Sequence, residues 1–175
     1  MPNLSENFLF KRLTTKSCKK SSKAIIDSYA FHPQRGSREK AILSKTFSDA
    51  SLGNTVITEI RDGTKKIKGS LGLVSLSVGK IELDKEAFPV IVIDFLFVDN
   101  KHRNIIHPHL GLKVSEMLLY YAIQTTLKIS EQVGVRYLIL HPDGGEKSKN
   151  LVKFYESIKF KYMTPKHEWM FLKLH

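Results

Sequence analysis

Cysteine, long apolar runs and acidic residues are all scarce in this sequence. The single cysteine, Cys18, excludes an intramolecular disulfide and a metal site built from several thiolates. No apolar run approaches the roughly 20 residues that a membrane-spanning helix needs, and residues 1–20 lack the apolar segment and cleavage site of a signal peptide. These absences predict a cytoplasmic protein with no membrane partner. The chain of 175 residues has no linker and no repeat, which predicts one domain over 1–175.

The shortage of acidic residues gives the chain a strong positive charge. Lys and Arg number 28 against 17 Asp and Glu, so the formal net charge is +11 at pH 7. This sign favours a polyanionic partner such as RNA, and a lysine-rich composition that only keeps the protein soluble is the alternative. The basic residues recur at 11–23, 61–68 and 147–173. Charge alone therefore does not mark one binding groove.

The spacing of the apolar residues predicts a mixed α/β fold. The order β-α-α-β-β-β-α-β-α-β-β is typical of a mixed, mostly antiparallel sheet of six to seven strands with helices on both faces. The predicted strands are Phe8–Leu13, Thr55–Ile60, Ile67–Val78, Val90–Val98, Tyr137–Leu140, Lys161–Met163 and Trp169–Leu174. The predicted helices are Lys19–Tyr29, Ser37–Ser48, Leu112–Val133 and Ser148–Ile158.

Three local signals refine these boundaries. Ser37 is the predicted N-cap of the second helix. The pair Asp62-Gly63 predicts a tight hairpin turn. Gly69 and Gly72 within a strand predict a bulge or a close approach of two backbones.

The second half of the chain contains three stretches that together indicate a known family. Residues 93–99 read Ile-Asp-Phe-Leu-Phe-Val-Asp, Arg103 follows shortly after them, and residues 154–160 read Phe-Tyr-Glu-Ser-Ile-Lys-Phe. In this order, around a long helix, they resemble the central strand, the start of the pyrophosphate loop and the Phe-Tyr…Gly-Phe signature of the GNAT superfamily of N-acetyltransferases. The resemblance covers the chain from about residue 90 onward, with weaker agreement at 55–78. It implies the GNAT fold and acetyl-CoA as the cosubstrate.

The resemblance also implies a reaction and a set of site residues. The reaction is direct transfer of an acetyl group to a primary amine of a small molecule or a protein. In this family the strands corresponding to those of Val98 and Leu140 diverge at a bulge, and the pantetheine arm pairs with the freed backbone. The N–H of Val98 would polarise the thioester carbonyl, and Tyr155 would protonate the leaving thiolate. The alternative for Tyr155 is a packed helix tyrosine that is hydrogen-bonded to backbone. The positions expected to contact the cosubstrate are Phe97, Val98, Arg103, His109, Leu110, Gly111, Leu112, Lys113 and Ser148.

The pyrophosphate loop departs from the family pattern, which is Arg/Gln-x-x-Gly-x-Gly. Between Arg103 and the following helix only Gly111 remains, and Pro108 has no N–H to donate. The side chains of His107, His109 and Lys113 are expected to replace some of the lost backbone contacts. The alternative is a non-catalytic module on the same fold that binds acyl-CoA or nucleic acid.

Asp94 is the one carboxylate inside the apolar run of residues 90–98. Among Ile and Phe it is expected to be paired or to have a raised pKa, and a raised pKa would suit a general base that acts through water. A structural Asp facing solvent or a basic neighbour is the alternative. His102, His107 and His109 have no cysteine or acidic partner at ligand spacing, so we predict no metal site.

The sequence leaves two classes of amine that could accept the acetyl group. Beside a small molecule or protein amine, the alternative is an aminoacyl-tRNA, as in the GNAT toxins of bacterial toxin–antitoxin pairs, which the first half of the chain loosely resembles. The net charge suits RNA, and an aminoacyl α-amine titrates near about pH 8, against about 10.4 for lysine, so it requires no strong base. The dispersed charge and the altered loop oppose this alternative. The sequence does not determine the oligomeric state, and a homodimer is one of the alternatives.

Overall fold

The computed structural model describes residues 7–83, 85–108, 111–143, 148–163 and 168–175. The helices of this part are α1 (Thr15–Ser28), α2 (Gly36–Ser51), a 3-10 helix (Asn100–His102), α3 (Val114–Ser130) and α4 (Lys149–Ser157). The strands are β1 (Phe8–Arg12), β2 (Val56–Asp62), β3 (Ser70–Leu83), β4 (Glu86–Val98), β5 (Ile106–His107), β6 (Leu112–Lys113), β7 (Tyr137–Leu140), β8 (Lys161–Tyr162) and β9 (Met170–Lys173).

Seven strands form one mixed sheet. Their order is β1-β2-β3-β4-β7-β9-β8, and β5 pairs with β6 separately. The pairs β1–β2, β2–β3, β7–β9 and β8–β9 are antiparallel, whereas β4 and β7 are parallel. This mostly antiparallel sheet with its helices confirms the predicted fold class.

The chain divides into two compact units. One holds the described residues up to Leu76 and those from Phe95 to Ala122, and the other holds Ser77–Asp94 and the residues from Ile123 onward. The elements β3, β4 and α3 contribute residues to both units. The expectation of one domain over 1–175 stays a prediction.

The first unit has its core between its helices and its strands. The buried residues of this core are Leu13, Cys18, Ile26, Tyr29, Leu43, Phe47, Ala50, Ile57, Leu73 and Phe97. Cys18 is only 2% exposed. Burial, and then the charge of Glu59, raise the pKa of its thiol. The cysteine therefore behaves here as a small apolar core residue.

The two helices of this unit begin earlier than their apolar spacing predicts. Thr14 caps α1, because its hydroxyl accepts the N–H of Ser17 at 3.1 Å. The predicted N-cap Ser37 is wrong, since α2 begins at Gly36. The N-cap residue is Arg35, whose side chain makes no capping bond. Glu39 Oε2 accepts the N–H of His32, in the loop before the helix, at 3.1 Å.

The hairpin of β2 and β3 is present, but its turn is longer than Asp62-Gly63 predicts. The carboxylate of Asp62 accepts the N–H groups of Thr64 and Ile67, both at 2.8 Å. These bonds organise a loop over residues 63–69. The predicted bulge is confirmed, because the register passes from Ile60↔Gly72 to Arg61↔Ser70 and leaves one extra residue on β3.

The second unit is organised around β7. This strand pairs with β4 on one side and with β9 on the other. The ring of Tyr137 lies edge-on to Phe88 at 6.3 Å and to Phe171 at 5.7 Å. In the described part of the chain, no helix is both long enough and apolar enough to cross a membrane.

Gly72 lies close against the backbone at the end of β4. A Cβ at this position would overlap the carbonyl oxygen of Phe97 and lie 3.2 Å from Cα of Val98. Both obstacles are backbone atoms that cannot rotate away. A glycine is therefore required where β3 faces the end of β4.

We expect Gly72→Ala to lower the free energy of unfolding by about 1–3 kcal/mol, because β3 and β4 must shift to admit the methyl group. Urea denaturation measures this change. The control is Gly134→Ala, where no atom lies within 4 Å of the added Cβ. It should change stability by less than about 1 kcal/mol. Equal effects of the two substitutions would contradict the close approach at Gly72.

Candidate functional site

A buried carboxylate fixes the end of β4. Asp99 is 4% exposed, and its two carboxylate oxygens accept the N–H groups of Ala30 at 3.1 Å and Lys101 at 2.8 Å. The backbone N–H of Asp99 donates to the carbonyl of Leu71 on β3 at 3.0 Å. Buried hydrogen bonds to a carboxylate are strong and directional. The end of β4 is thus bonded both to Ala30, after α1, and to Leu71 on β3.

Phe97 and Val98, two predicted cosubstrate positions, lie directly before this carboxylate. The ring of Phe97 is 2% exposed and contacts the rings of Tyr29 at 5.0 Å and Phe31 at 5.5 Å. Val98 is 9% exposed. Their side chains belong to the core, so what these residues can offer a cosubstrate is their backbone.

Arg103 is engaged within the protein. Its Nε donates to the carbonyl of Val98 at 3.0 Å, its Nη1 lies 2.7 Å from Oε1 of Glu39, and its guanidinium lies 5.5 Å from the ring centroid of Phe97. Burial raises the pKa of Glu39, but hydrogen bonds from Arg103 and from the N–H of His32 outweigh it, and the pKa is lowered overall. The resemblance implies a contact with the cosubstrate, whereas in the structure this guanidinium holds the end of β4 to α2.

The loop after Arg103 forms a small hairpin. Ile106 pairs with Lys113 and His107 with Leu112, and the N–H of Gly111 donates to the carbonyl of His107 at 2.9 Å. Gly111 has φ +61°, a conformation that glycine adopts without strain. The remaining glycine thus serves the turn of the hairpin. The predicted positions His109 and Leu110 lie outside the described residues.

The start of α3 carries its own acidic cap. The N–H of Lys113 donates to Oε2 of Glu116 at 2.7 Å. This bond is the second half of a capping box, and it also places a negative charge at the helix end that favours one. A pyrophosphate bound here would meet the carboxylate of Glu116, a feature that sequence reasoning missed.

In the second unit, Tyr155 lies on α4 among aromatic rings. Its ring centroid is 5.4 Å from that of Phe154 and 5.8 Å from that of Phe160. Burial, and then the negative charge of Asp143, raise the pKa of its phenol to about 12. The hydroxyl therefore keeps its proton at neutral pH and can donate it.

The ends of α4 explain two further positions. Ser148 precedes the helix, and its hydroxyl donates to the carbonyl of Asp143 at 2.7 Å. Lys159 follows the helix at φ 76°. Its left-handed conformation is the one that a glycine after a helix adopts most readily. Lys159 thus has the backbone conformation favoured by the glycine of the Phe-Tyr…Gly-Phe signature.

Asp94 lies on the surface of the second unit. Its side chain is exposed, and Oδ1 accepts the hydroxyl of Ser77 at 2.7 Å. Ser77 is therefore one hydrogen-bond partner of this carboxylate. A position in solvent agrees with the structural alternative for this residue.

The parallel ladder between β4 and β7 is short. Its described pairs run from Val90↔Tyr137 to Ile93↔Leu140, without a shift of register. They end five residues before β4 does. The residue after His141 is Pro142, which has no N–H to extend the ladder. The described ladder thus ends with β7 and contains no bulge, and the expected divergence stays a prediction.

A buried polar cluster in the first unit escaped the sequence reasoning. Glu59 on β2 is 1% exposed and lies 2.9 Å from Nη2 of Arg61. The hydroxyl of Tyr29 donates to Ser70 at 2.8 Å and to Glu59 at 3.4 Å. Burial and the charge of Glu59 raise the pKa of Tyr29. The available signal was a single acidic residue in the β-branched run of residues 55–60.

Comparison with known proteins yields structural neighbours. No protein-family model matches the chain, and no curated protein matches its sequence. A tyrosine-to-phenylalanine mutant of the AtaT toxin, bound to the C-terminus of the antitoxin AtaR and acetyl-CoA, has a TM-score of 0.68 and 12% identity over 97% of this chain and 94% of its own. AtaT complexed with acetyl-methionyl-tRNAfMet has a TM-score of 0.71 and 12% identity over 95% of both chains. A similar mutant of KacT has a TM-score of 0.70 and 11% identity over 97% of this chain and 96% of its own. At these identities the likeness shows a shared fold, the GNAT fold of these toxins.

We expect Arg103→Gln to lower the free energy of unfolding by about 2–3 kcal/mol. The substitution leaves the carboxylate of Glu39, whose side chain is 15% exposed, without its cation.

The pKa of Glu39 is lowered in the folded state. Its contribution to the free energy of unfolding is therefore present above the pKa of the unfolded state, and it is lost as the pH falls through the lower pKa of the folded state. Urea denaturation of the wild type and of Glu39→Gln at pH 7 and pH 3 measures this acid-side loss, which should be smaller in Glu39→Gln.

The double variant separates a structural arginine from a phosphate ligand. Arg103→Gln with Glu39→Gln should lose less stability than the sum of the single changes, because no charge is left unpaired. An Arg103→Gln protein of unchanged stability whose acetyl-CoA affinity is more than tenfold weaker would contradict this assignment.

Proposed function

We propose that this protein uses acetyl-CoA to acetylate the α-amino group of an aminoacyl-tRNA. The observation that carries the proposal is the likeness of almost the whole chain to AtaT in its complex with acetyl-methionyl-tRNAfMet. The sequence favours a small-molecule or protein amine, and the structural neighbours favour the tRNA acceptor instead. The net charge of +11 supports the same choice.

The pantetheine arm of acetyl-CoA would pair with the backbone of β4 beyond Ile93, where its described ladder to β7 has ended. Phe97 and Val98 would supply backbone groups only, and the N–H of Val98 would polarise the thioester carbonyl. Arg103 would act as a positioning residue, because it holds the carbonyl of Val98. Ser148 has an acceptor oxygen left for the pantetheine after donating its proton to Asp143.

The pyrophosphate would bind at the β5–β6 hairpin and the start of α3. The candidate contacts there are Leu112 and Lys113, together with His109, Leu110 and Gly111. Glu116 already accepts the N–H of Lys113, so the cation of Lys113 matters more than its backbone. We expect weaker phosphate binding than a glycine-rich loop provides. If this phosphate binding were absent, the second candidate function would be a non-catalytic module that binds nucleic acid on the same fold.

The transfer step requires one acid from this chain. The neutral α-amine attacks the thioester carbon, the C–N bond forms, the C–S bond breaks, and the amine releases a proton to water. Tyr155 would protonate the departing thiolate, since a phenol with a pKa of about 12 holds its proton until that moment. An α-amine that titrates near about pH 8 has a substantial neutral fraction near neutral pH without a base, whereas a lysine at about 10.4 does not. With an aminoacyl-tRNA acceptor, Asp94 is therefore dispensable as a base.

We expect Tyr155→Phe to lower kcat by about 100-fold or more, because the thiolate must leave without its acid. The Kd for acetyl-CoA should change less than about threefold, since the ring is retained. Asp94→Asn should lower kcat by less than about threefold with methionyl-tRNA as the acceptor. Acetyl transfer from labelled acetyl-CoA measures both. A large loss in Asp94→Asn would favour a lysine-like acceptor that needs a base.

We expect the purified protein to bind acetyl-CoA with a Kd in the micromolar range, as measured by isothermal titration with CoA as the comparison. It should then transfer label to methionyl-tRNA, with the rate rising from pH 6 to about pH 8 as the amine loses its proton. Deacylated tRNA and a lysine peptide serve as controls. No acetyl-CoA binding at millimolar concentration would contradict the acetyltransferase and leave the binding module.

A further inference from the structure

The first turns of α1 carry a dense line of exposed positive charge. Lys16, Lys19, Lys20 and Lys23 are all exposed. Their spacing of i, i+3, i+4 and i+7 places them on one helix face. We name these four residues the α1 basic stripe. Lys11 and Arg12 at the end of β1 are also exposed, and no acidic residue occurs between positions 11 and 23.

Within the described residues, the stripe belongs neither to the core of its unit nor to an ion pair. Residues such as Cys18 and Ile26 supply the buried face of α1, and the stripe lies away from them. Like charges three and four positions apart destabilise a helix, and the first turn of α1 has no acidic residue to offset them. Among the described residues, no carboxylate forms an ion pair with any of the four lysines; the ion pair of α1 joins Asp27 to Lys40. Asp27, one helical turn after Lys23, is the acidic residue of α1, so Lys16, Lys19 and Lys20 have no opposite charge on this helix beside them, and an anionic partner would relieve their repulsion.

We propose that the α1 basic stripe is a docking surface for the phosphate backbone of RNA. The inference rests on the proposed function and adds to it the part of the chain that holds the acceptor. The stripe extends over the eight residues from Lys16 to Lys23, or about 10 Å along the helix. Four ammonium groups at this density match a partner whose charges repeat at short, regular intervals.

The stripe fits RNA better than a membrane surface. A helix that lies in a bilayer interface inserts apolar side chains beneath its charged ones. In α1 the apolar residue Ile26 is 5% exposed and is packed in the core of its own unit. The face of the stripe therefore offers positive charge without an apolar anchor. Such a face suits a hydrated polyanion.

The test compares two variants of equal net charge. The stripe variant changes Lys16, Lys19, Lys20 and Lys23 to Gln, a residue of similar helix propensity. The control variant changes four exposed lysines on β3, α3, β8 and β9 to Gln, namely Lys80, Lys128, Lys161 and Lys173. Each variant lowers the formal net charge from +11 to +7, since 11 − 4 = 7. Circular dichroism and thermal melting verify that both are folded.

The measurement is the Kd of fluorescein-labelled deacylated tRNAfMet, by anisotropy, across a series of salt concentrations. Each phosphate contact contributes roughly 0.7–0.9 to the slope of log Kd against log salt, so the stripe variant should lose about 3 from the slope. Its Kd should weaken at least tenfold at low salt. The control variant should lose less than about 1 from the slope.

Three results would overturn the inference. One is that the wild type does not bind the tRNA, and another is that both variants weaken equally, as a net-charge effect would require. The third is that the stripe variant keeps its RNA affinity and loses binding to phosphatidylserine vesicles or to an acidic peptide. Acetyl transfer to methionyl-tRNA, measured in parallel, separates this inference from the proposed function. RNA binding through the stripe without any acetyl transfer would support the inference and refute the proposed function. Acetyl transfer with unchanged kcat/KM in the stripe variant would support the proposed function and refute the inference.

Discussion

Where β4 ends, the buried carboxylate of Asp99 accepts the backbone N–H groups of Ala30 and Lys101, and the candidate site in the first unit depends on these two bonds. The bond from Ala30 joins the segment after α1 to the strand end. Arg103 adds a second connection, because it bonds the carbonyl of Val98 and the carboxylate of Glu39 together. The backbone between these anchors is set by residues far apart in the sequence. Side chains that a cosubstrate never touches therefore determine the geometry that it would meet.

The altered pyrophosphate loop shows how one structural role displaces another. A glycine-rich loop exposes several N–H groups to an anion. In this chain the loop instead pairs with itself as β5 and β6, and the N–H of Lys113, directly before α3, donates to Glu116. The hairpin stabilises the segment internally at the expense of backbone donors. An anion at this place would have to be bound largely by side chains, Lys113 foremost.

The parts of the fold that follow from local sequence were predictable, and the parts that follow from distant contacts were not. The strand over Tyr137–Leu140 has the predicted bounds because a short apolar run followed by a proline leaves little choice. The hairpin at Ile106–His107 has no apolar alternation to announce it, and it depends on a single left-handed glycine. For the candidate site, the positions near β4 and α4 followed from the resemblance.

What those site residues contact could not be predicted. Glu39 and Arg103 are separated by 64 positions, and nothing in either neighbourhood indicates the ion pair that they form. The same holds for Glu59, whose partner Tyr29 belongs to a different element. Long-range polar pairs of this kind leave no periodic signal, because each requires only one residue at each end.

The lone cysteine has a practical consequence for experiments on this protein. A cysteine reacts with thiol-alkylating reagents in its thiolate form. Burial covers the thiol of Cys18 and raises its pKa. Since the chain contains no other cysteine, thiol modification must occur at this one position on α1. The rate of alkylation thus reports how often α1 detaches from the core, on the timescale of local opening. The protein carries a built-in reporter beneath its most basic helix, and a ligand that holds that helix in place would slow the labelling.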